Sequence, residues 1–324
     1  MTVPNPAVVC VGNAIVDVLA PAAEDLIESL GLVKGTMRLV DPSEAETLYG
    51  RMGPATEASG GAAANTAAGL ALLGVPTQFI GKVANDQLGK VFAHDIRAVG
   101  VGFDVPVAEQ GATGRCLVMI TPDAQRTMST SLGVAGELGP DDIDEELVSA
   151  ARWTFLEGYL WESPTARAAL DKAAAVASTL SFSLSDPMLV GRHTSDLRRF
   201  CADHVDLLFG NEEEIKALAG DQEAESALAA VGGYCETVVM TRSEKGSLVA
   251  HDGAQIESPA HPAAAVLDTT GAGDLFAAGF IAGLYRGLDT AGCAALGAKS
   301  AAAVIAQVGA RPAADQPPFN ATPQ

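Results

Sequence analysis

Asp268-Thr269-Thr270-Gly271-Ala272-Gly273-Asp274 runs directly into Leu275-Phe276-Ala277-Ala278-Gly279-Phe280, and this junction decides how the rest of the chain is read. Threonines and small residues lead into an acidic residue at the start of a small-residue helical run. Backbone N–H groups at a helix start have no intrahelical acceptor, and the dipole end there is positive, so the place attracts a phosphate. Gly271 and Gly273 let the main chain approach an anion without a Cβ in the way. Asp274 stands where a carboxylate accepts the proton of an attacking hydroxyl. An acidic residue that merely caps a helix start gives the same letters.

Outward from this junction the chain alternates. Val8–Val11 reads as a buried first strand, and Gly12-Asn13 as the loop after it. A small-residue helix over 62–73 closes at Gly74, a strand follows over 76–83, and a helix over 87–99 closes at Gly100. Strand-like runs recur at 153–156, 180–184, 207–210 and 237–241, with helical stretches between them at 164–178, 194–203 and 212–219. This order predicts an α/β fold, a three-layer core with a mainly parallel central sheet between helices. Segments 32–40 and 105–131 break the pattern, with runs such as Arg115–Thr121 and Arg126–Thr130 around the turn residues Pro122-Asp123. They predict a small antiparallel β lid over the carboxyl ends of the main strands. The expected division is therefore 1–12, 46–104 and 131–324 for the core, with 13–45 and 105–130 for the lid. The Pro- and Ala-rich tail from Arg311 to Gln324 is expected to be loosely held.

Composition narrows the function. The 324 residues are 48% hydrophobic, enough for a large core, and 40 Asp plus Glu against 20 Lys plus Arg give a formal charge of −20. Nucleic-acid and anionic-membrane partners are disfavoured, because both are held through basic patches. Five scattered cysteines without CxxC spacing argue against a disulfide framework, and five dispersed histidines form no metal pattern. The first residues lack the basic region of a signal peptide, and the expectation is a cytoplasmic protein.

A second glycine-rich segment, Ser59-Gly60-Gly61-Ala62-Ala63-Ala64-Asn65, exposes N–H groups at another helix start, and the Asn65 amide is one turn inside, within reach of a sugar hydroxyl. Close helix packing explains the same small residues. Asp17, beside Asn13, suits a vicinal diol as an ionised acceptor, or is a surface turn residue. Neither GxxxxGK[ST] nor a complete GxGxxG is present, since Phe276 stands where the third glycine belongs.

Taken together, Gly60–Asn65 and Asp268–Asp274, in this order and separation, resemble the two signatures of the ribokinase-like (PfkB-type) family of carbohydrate and nucleoside kinases. The resemblance spans nearly the whole chain. It implies an α/β core with a β lid, ATP with Mg²⁺, and transfer of the γ-phosphoryl to a primary hydroxyl. Asp274 is then the general base, and the turn at Gly271 presents the N–H groups of Ala272, Gly273 and Asp274 as an anion hole. Asp17, Gly60, Gly61 and Asn65, with Asn13 nearby, hold sugar hydroxyls. Asn211 and Glu214 match the family's Asn-x-x-Glu near Mg²⁺ and the phosphates. Thr241, Ser243 and Gly246 match Thr-x-Gly-x-x-Gly of the nucleotide site, with Ser243 replacing the first glycine, and Ala302 to Gly309 border the adenine. Asp268 and Thr270 lie in the loop that binds K⁺ in some relatives.

The signatures do not choose the acceptor. Asn13–Asp17, the segment 123–128 and Phe155–Trp161 look most like bacterial members grouped with adenosine kinases, and Tyr159, Trp161, Phe182, Met37 and Met128 are candidates for an apolar purine slot or for core. Glu162 resembles the position where ribokinases place a sugar-contacting glutamate. Arg126, in the lid, either adds a charge over the phosphate or is exposed. The expected acceptor is adenosine, with a ribose, fructose or ketodeoxygluconate type of sugar as the alternative. An inactive scaffold fits less well, because Asp274 and both glycines are intact. The exposed lid edge suits either a monomer, with the edge solvated, or a homodimer paired through the lid.

Overall fold

In chain order the strands are β1 (Val8–Val11), β2 (Ile15–Pro21), β3 (Met37–Leu39), β4 (Thr56–Gly60), β5 (Thr77–Ile80), β6 (Gly114–Ile120), β7 (Arg126–Ser131), β8 (Trp153–Glu157), β9 (Leu180–Ser183), β10 (Leu207–Asn211), β11 (Thr237–Thr241), β12 (Ser247–His251) and β13 (Ala254–Ser258). They are taken from a computed structural model that describes residues 3, 5–104, 107–123, 125–312, 316 and 318–319. Eight strands form one sheet in the order β13-β12-β11-β10-β9-β8-β1-β5. From β5 to β11 every neighbour pair is parallel, and β12 and β13 add an antiparallel edge.

A parallel sheet needs crossovers, and the chain supplies helices for them on both faces. The period of two along β1 shows the result. Val9 and Val11 join a core with Leu156, Phe182 and Leu208 on one face. Val8 and Cys10 join Phe79, Phe155, Phe209 and Phe280 on the other.

The predicted elements are present with ends moved by a residue or a few. The helix expected over 194–203 begins earlier, at Pro187, with a kink at His193. The β12–β13 hairpin was not anticipated.

The second sheet has the order β3-β7-β6-β2-β4. Two expectations about it need correction. It is mixed rather than antiparallel, since β2 runs parallel to β6 and β3 parallel to β7. Those partners come from distant segments, and the intervening core helices and strands provide the long connection that parallel pairing requires. It also takes in β4, which lies outside 13–45 and 105–130. β4 pairs antiparallel with β2, in a register that sets Ile15 opposite Gly60 and Asp17 opposite Ala58. Residues 105, 106 and 124 of the expected lid lie outside the described residues.

Small residues bring the two signature helices together. A Cβ on Gly69, in the Ala62–Leu72 helix, would sit 2.5 Å from Leu275 Cδ1 and 2.8 Å from Ala278 Cβ of the Ala272–Tyr285 helix. The stripe is therefore packing, as one reading of it held, and that packing carries Asn65 to Asp274. Part of the tail also departs from expectation. Phe319 is buried in the core, and Arg311 reaches into the molecule, because an aromatic ring and a guanidinium both find partners there. Residues 313–315, 317 and 320–324 of the tail lie outside the described residues.

Candidate active site

The Ala272–Tyr285 helix begins at Gly271, whose φ of 77° places it in the left-handed region, and an added Cβ there would lie 2.7 Å from Ala310 O. Only glycine takes that turn without strain. Ala272 N–H already donates to Thr269 O at 3.2 Å, so one of the three expected anion-hole donors is engaged. Among the described residues, the N–H groups of Gly273 and Asp274 have no protein acceptor. Gly273 is exposed, with no atom within 4 Å of where its Cβ would be. Two free donors, open space and a positive helix end fit an anion.

Asp274 stands in the first turn of this helix. Asn65 Nδ2 donates to its Oδ2 at 3.0 Å. Burial pushes its carboxyl up to about 7, and the nearby charges of Glu157, Asp17 and Glu214 push the same way, while the Asn65 hydrogen bond opposes them. A carboxyl poised near neutrality matches what proton abstraction from a hydroxyl requires.

Asp17 projects from β2 beside Gly60, where an added Cβ would come within 2.5 Å of the carboxylate. Burial raises Asp17 to about 6, against the positive charges of Arg311 and Arg126. Gly61 has φ of 94°, and a Cβ there would lie 2.2 Å from Asn13 O. The two glycines thus admit Asp17 and Asn13 against the start of the second helix. Asp17, Gly60, Gly61, Asn65 and Asp274 come together as expected.

Other expected residues stand differently. Asn13 is buried, and both its backbone N–H and Nδ2 donate to Glu157 Oε1, at 2.8 and 2.7 Å. Glu157 Oε2 accepts from Ala63 N–H at 2.7 Å, so this buried carboxyl ties β1, β8 and the Ala62–Leu72 helix together. Burial raises it to about 6. The sequence reading missed Glu157, although an acidic residue closing the apolar run Trp153–Leu156 was a signal. Glu162 accepts a hydrogen bond from Arg192, whose guanidinium lies half-exposed beside it. Trp161 and Phe182 are core, packed on each other and on Phe200. The Tyr159 hydroxyl donates to Ser185 O at 3.1 Å. Met37 and Met128 are paired on the second sheet and half-buried.

Arg126 crosses from β7 to hydrogen-bond Thr270 Oγ1 and Asp268 Oδ2, so it is not exposed. Asp268 also accepts from Thr270 N–H at 2.8 Å and Gly309 N–H at 2.7 Å. Both carboxylate oxygens of Asp268 and the Thr270 hydroxyl thus accept from donors in this arrangement.

Asn211 and Glu214 form a reciprocal cap on the Glu212–Ala219 helix. Glu214 N–H donates to Asn211 Oδ1 at 2.9 Å, and Asn211 N–H and Nδ2 donate to Glu214 at 2.9 and 2.8 Å. Burial raises Glu214 to about 7. No cluster of three or more His, Cys, Asp or Glu side chains suited to a metal occurs among the described residues. Asn211 and Glu214 engage each other's polar atoms, so an Mg²⁺ near them would be carried on phosphate oxygens and water rather than in a protein cage.

Thr241 ends β11, and Ser243 takes φ of 51°, the left-handed region the family's glycine would favour. Gly246 has φ of 84°, and its Cβ would strike Ser258 O at 2.1 Å. Ala302 is buried near the end of the Thr290–Val304 helix. Just beyond it, Ile305 O accepts from Leu267 N–H at 2.8 Å, which binds that end to the Asp268 loop. Val266, Leu267 and Val308 form exposed apolar surface beside it.

The model of the pfkB family carbohydrate kinases matches residues 24–317. The chain belongs to this family. Its fold is that of an adenosine kinase from Sinorhizobium meliloti, with a TM-score of 0.91 and 41% identity over 95% of this chain and 96% of that one. A probable sugar kinase from Rhizobium etli CFN 42 aligns with a TM-score of 0.91 and 39% identity, covering 96% of both chains. An ATP-dependent ribose-1-phosphate kinase from Halopiger xanaduensis is 33% identical over 238 residues, 70% of this chain and 73% of that one. The chain is accordingly a nucleoside or sugar kinase of the PfkB family, a phosphotransferase with a hydroxyl acceptor, and family membership implies use of ATP. No helix among the described residues is long and apolar enough to cross a membrane.

Proposed function

We propose that this PfkB kinase transfers the γ-phosphoryl of ATP to the primary hydroxyl of a ribosyl nucleoside, with adenosine as the acceptor. The observation that carries the reading is the convergence of Asp274, raised to about 7, with the free N–H groups of Gly273 and Asp274 at one helix start, faced by Asn65 and Asp17. Bound ATP with Mg²⁺ supplies the phosphoryl group and neutralises part of its charge. The chain's own residues do the rest. Asp17 accepts from ribose hydroxyls, Asn65 orients the Asp274 carboxylate, and Asp274 takes the proton of the attacking hydroxyl. The two open N–H groups stabilise charge on the transferring phosphoryl oxygens, a service that needs no basic side chain in a protein of charge −20. Thr241, Gly246 and the 302–309 segment hold the nucleotide in this reading, and the exposed apolar residues Val266, Leu267 and Val308 offer its base an apolar surface.

The likeness to the adenosine kinase from S. meliloti along almost the whole chain supports adenosine, while the near-equal likeness to the probable sugar kinase from R. etli keeps a free sugar as the second reading. The residue that spoke for a plain sugar, Glu162, is engaged by Arg192. The test is formation of ADP and of the phosphorylated acceptor, a nucleoside monophosphate or a sugar phosphate, from ATP with adenosine, inosine, ribose, fructose and ketodeoxygluconate offered separately. Turnover with adenosine at a kcat/KM well above that of every free sugar is expected. Turnover confined to free sugars would overturn the acceptor assignment.

A further inference from the structure

Arg311 follows the last long helix, in a stretch whose composition suggested a loose tail, yet its guanidinium lies across the acceptor side of the site. Nη1 donates to Ser59 Oγ, Nη2 reaches Gly60 O at 3.5 Å, and Nε reaches Asn65 Oδ1 at 3.4 Å. The group stacks over Phe92, 5.7 Å from the ring centroid. Ser59 in turn donates to Asp95 Oδ2 at 3.1 Å. All three acceptors of Arg311 are neutral, and no carboxylate among the described residues lies within ion-pair distance of it. The adjacent Ala310 abuts Gly271, the turn that opens the anion-binding helix.

An asparagine amide presents oxygen one way and nitrogen the other, and its two orientations differ by a flip. A donor facing Oδ1 of Asn65 fixes Nδ2 toward Asp274, where it donates at 3.0 Å. The guanidinium charge also acts on Asp17, the acidic residue on the other side of Gly60. Resting on the acceptor site described above, we infer that Arg311 is a positioning residue for that site: it sets the Asn65 amide that orients Asp274, and its charge holds Asp17 ready to bind hydroxyls.

The charged and titratable groups that bear on this arrangement come from several elements. Asp17 is faced by Arg126 of β7, Cys116 of β6, Asp274 and Arg311. Asp274 is faced by Glu157 of β8, Glu214 and Tyr159. Removing the Arg311 charge leaves Arg126 as the cation acting on Asp17, so the Asp17 carboxyl is expected to ionise at higher pH, and Asp274 is affected only through its bond from Asn65.

The test compares wild type, Arg311→Met and Arg311→Lys in steady-state kinetics across pH 5.5 to 9, with adenosine varied at saturating ATP. Arg311→Met should raise the acceptor KM about tenfold and move the acid limb of kcat/KM upward by about half a pH unit or more, with the KM for ATP unchanged. Arg311→Lys keeps the charge and loses the fork, so it should keep the acid limb and raise the acceptor KM several-fold. A uniform loss of activity with the limb and both KM values in place would overturn the proposal. Should Arg311→Met fail to fold, a wild-type acceptor KM in Arg311→Lys overturns it equally. Failure of wild type itself to phosphorylate adenosine would instead strike the acceptor assignment, which keeps the two claims separable.

Discussion

Asn65 and Asp274, 209 residues apart in the chain, meet through one hydrogen bond of 3.0 Å from Nδ2 to Oδ2. One belongs to the first glycine-rich segment and the other to the second, so this bond joins the proposed acceptor site to the proposed phosphoryl-transfer site. It is made possible by Gly69, whose missing Cβ lets the two helices approach.

The pH dependence follows from Asp274. Its carboxyl is raised to about 7 in the free protein, and only the ionised form accepts a proton, so kcat/KM should fall about tenfold per pH unit below that point. Stability has the opposite sign. Between an ordinary carboxyl value near 4 and about 7 the folded protein binds more protons at Asp274 than the unfolded chain does, so this group's contribution declines as pH rises through that window. Asp274→Asn removes the ionisable group. Its Tm should exceed that of wild type at pH 8, and the difference should vanish at pH 4; a lower Tm for the variant at pH 8 would contradict the burial argument.

Gly271 and Gly273 are separated by one residue and should respond differently. Gly271→Ala puts a Cβ at positive φ and against Ala310 O, and a loss of about 2 kcal/mol or more in unfolding free energy is expected. Gly273→Ala meets no protein atom but intrudes on the space in front of the free N–H groups. It should leave Tm nearly unchanged and lower kcat by about tenfold or more. Equal effects of the two substitutions on Tm would show that the space at Gly273 has been misread.

Asp17→Ala should act on the acceptor. Loss of a carboxylate that accepts from hydroxyls raises the acceptor KM by about tenfold or more and leaves the KM for ATP in place. An unchanged acceptor KM removes Asp17 from the site.

Much of this was legible in the letters. The alternation of short apolar runs with helical stretches fixes a parallel sheet, because strands buried on both faces must be apolar throughout, as Val8–Val11 is. The glycines at 60, 61 and 271 were legible as helix-start and anion-facing positions, while the protein atoms they admit, Asp17, Asn13 O and Ala310 O, came only with the structure. What stayed hidden depended on tertiary pairing. Nothing local in Thr56–Gly60 says that it joins β2 in the second sheet. The Asn211-Glu212-Glu213-Glu214 run showed its spacing, while its reciprocal cap required a helix start. Glu162 was read by position, and the nearby Arg192 decides its partner. Arg311 was obscured by the prolines and alanines around it, since composition describes a segment and not the one side chain that folds back.

The central claim is that Asp274 is the base of a phosphoryl transfer from ATP. It is tested most directly by kcat for ADP formation with adenosine in Asp274→Asn against wild type, both at pH 8 and saturating substrates. A fall of about a thousandfold or more, with the KM for ATP changed by less than about threefold, is the predicted result. Turnover within about tenfold of wild type would contradict it.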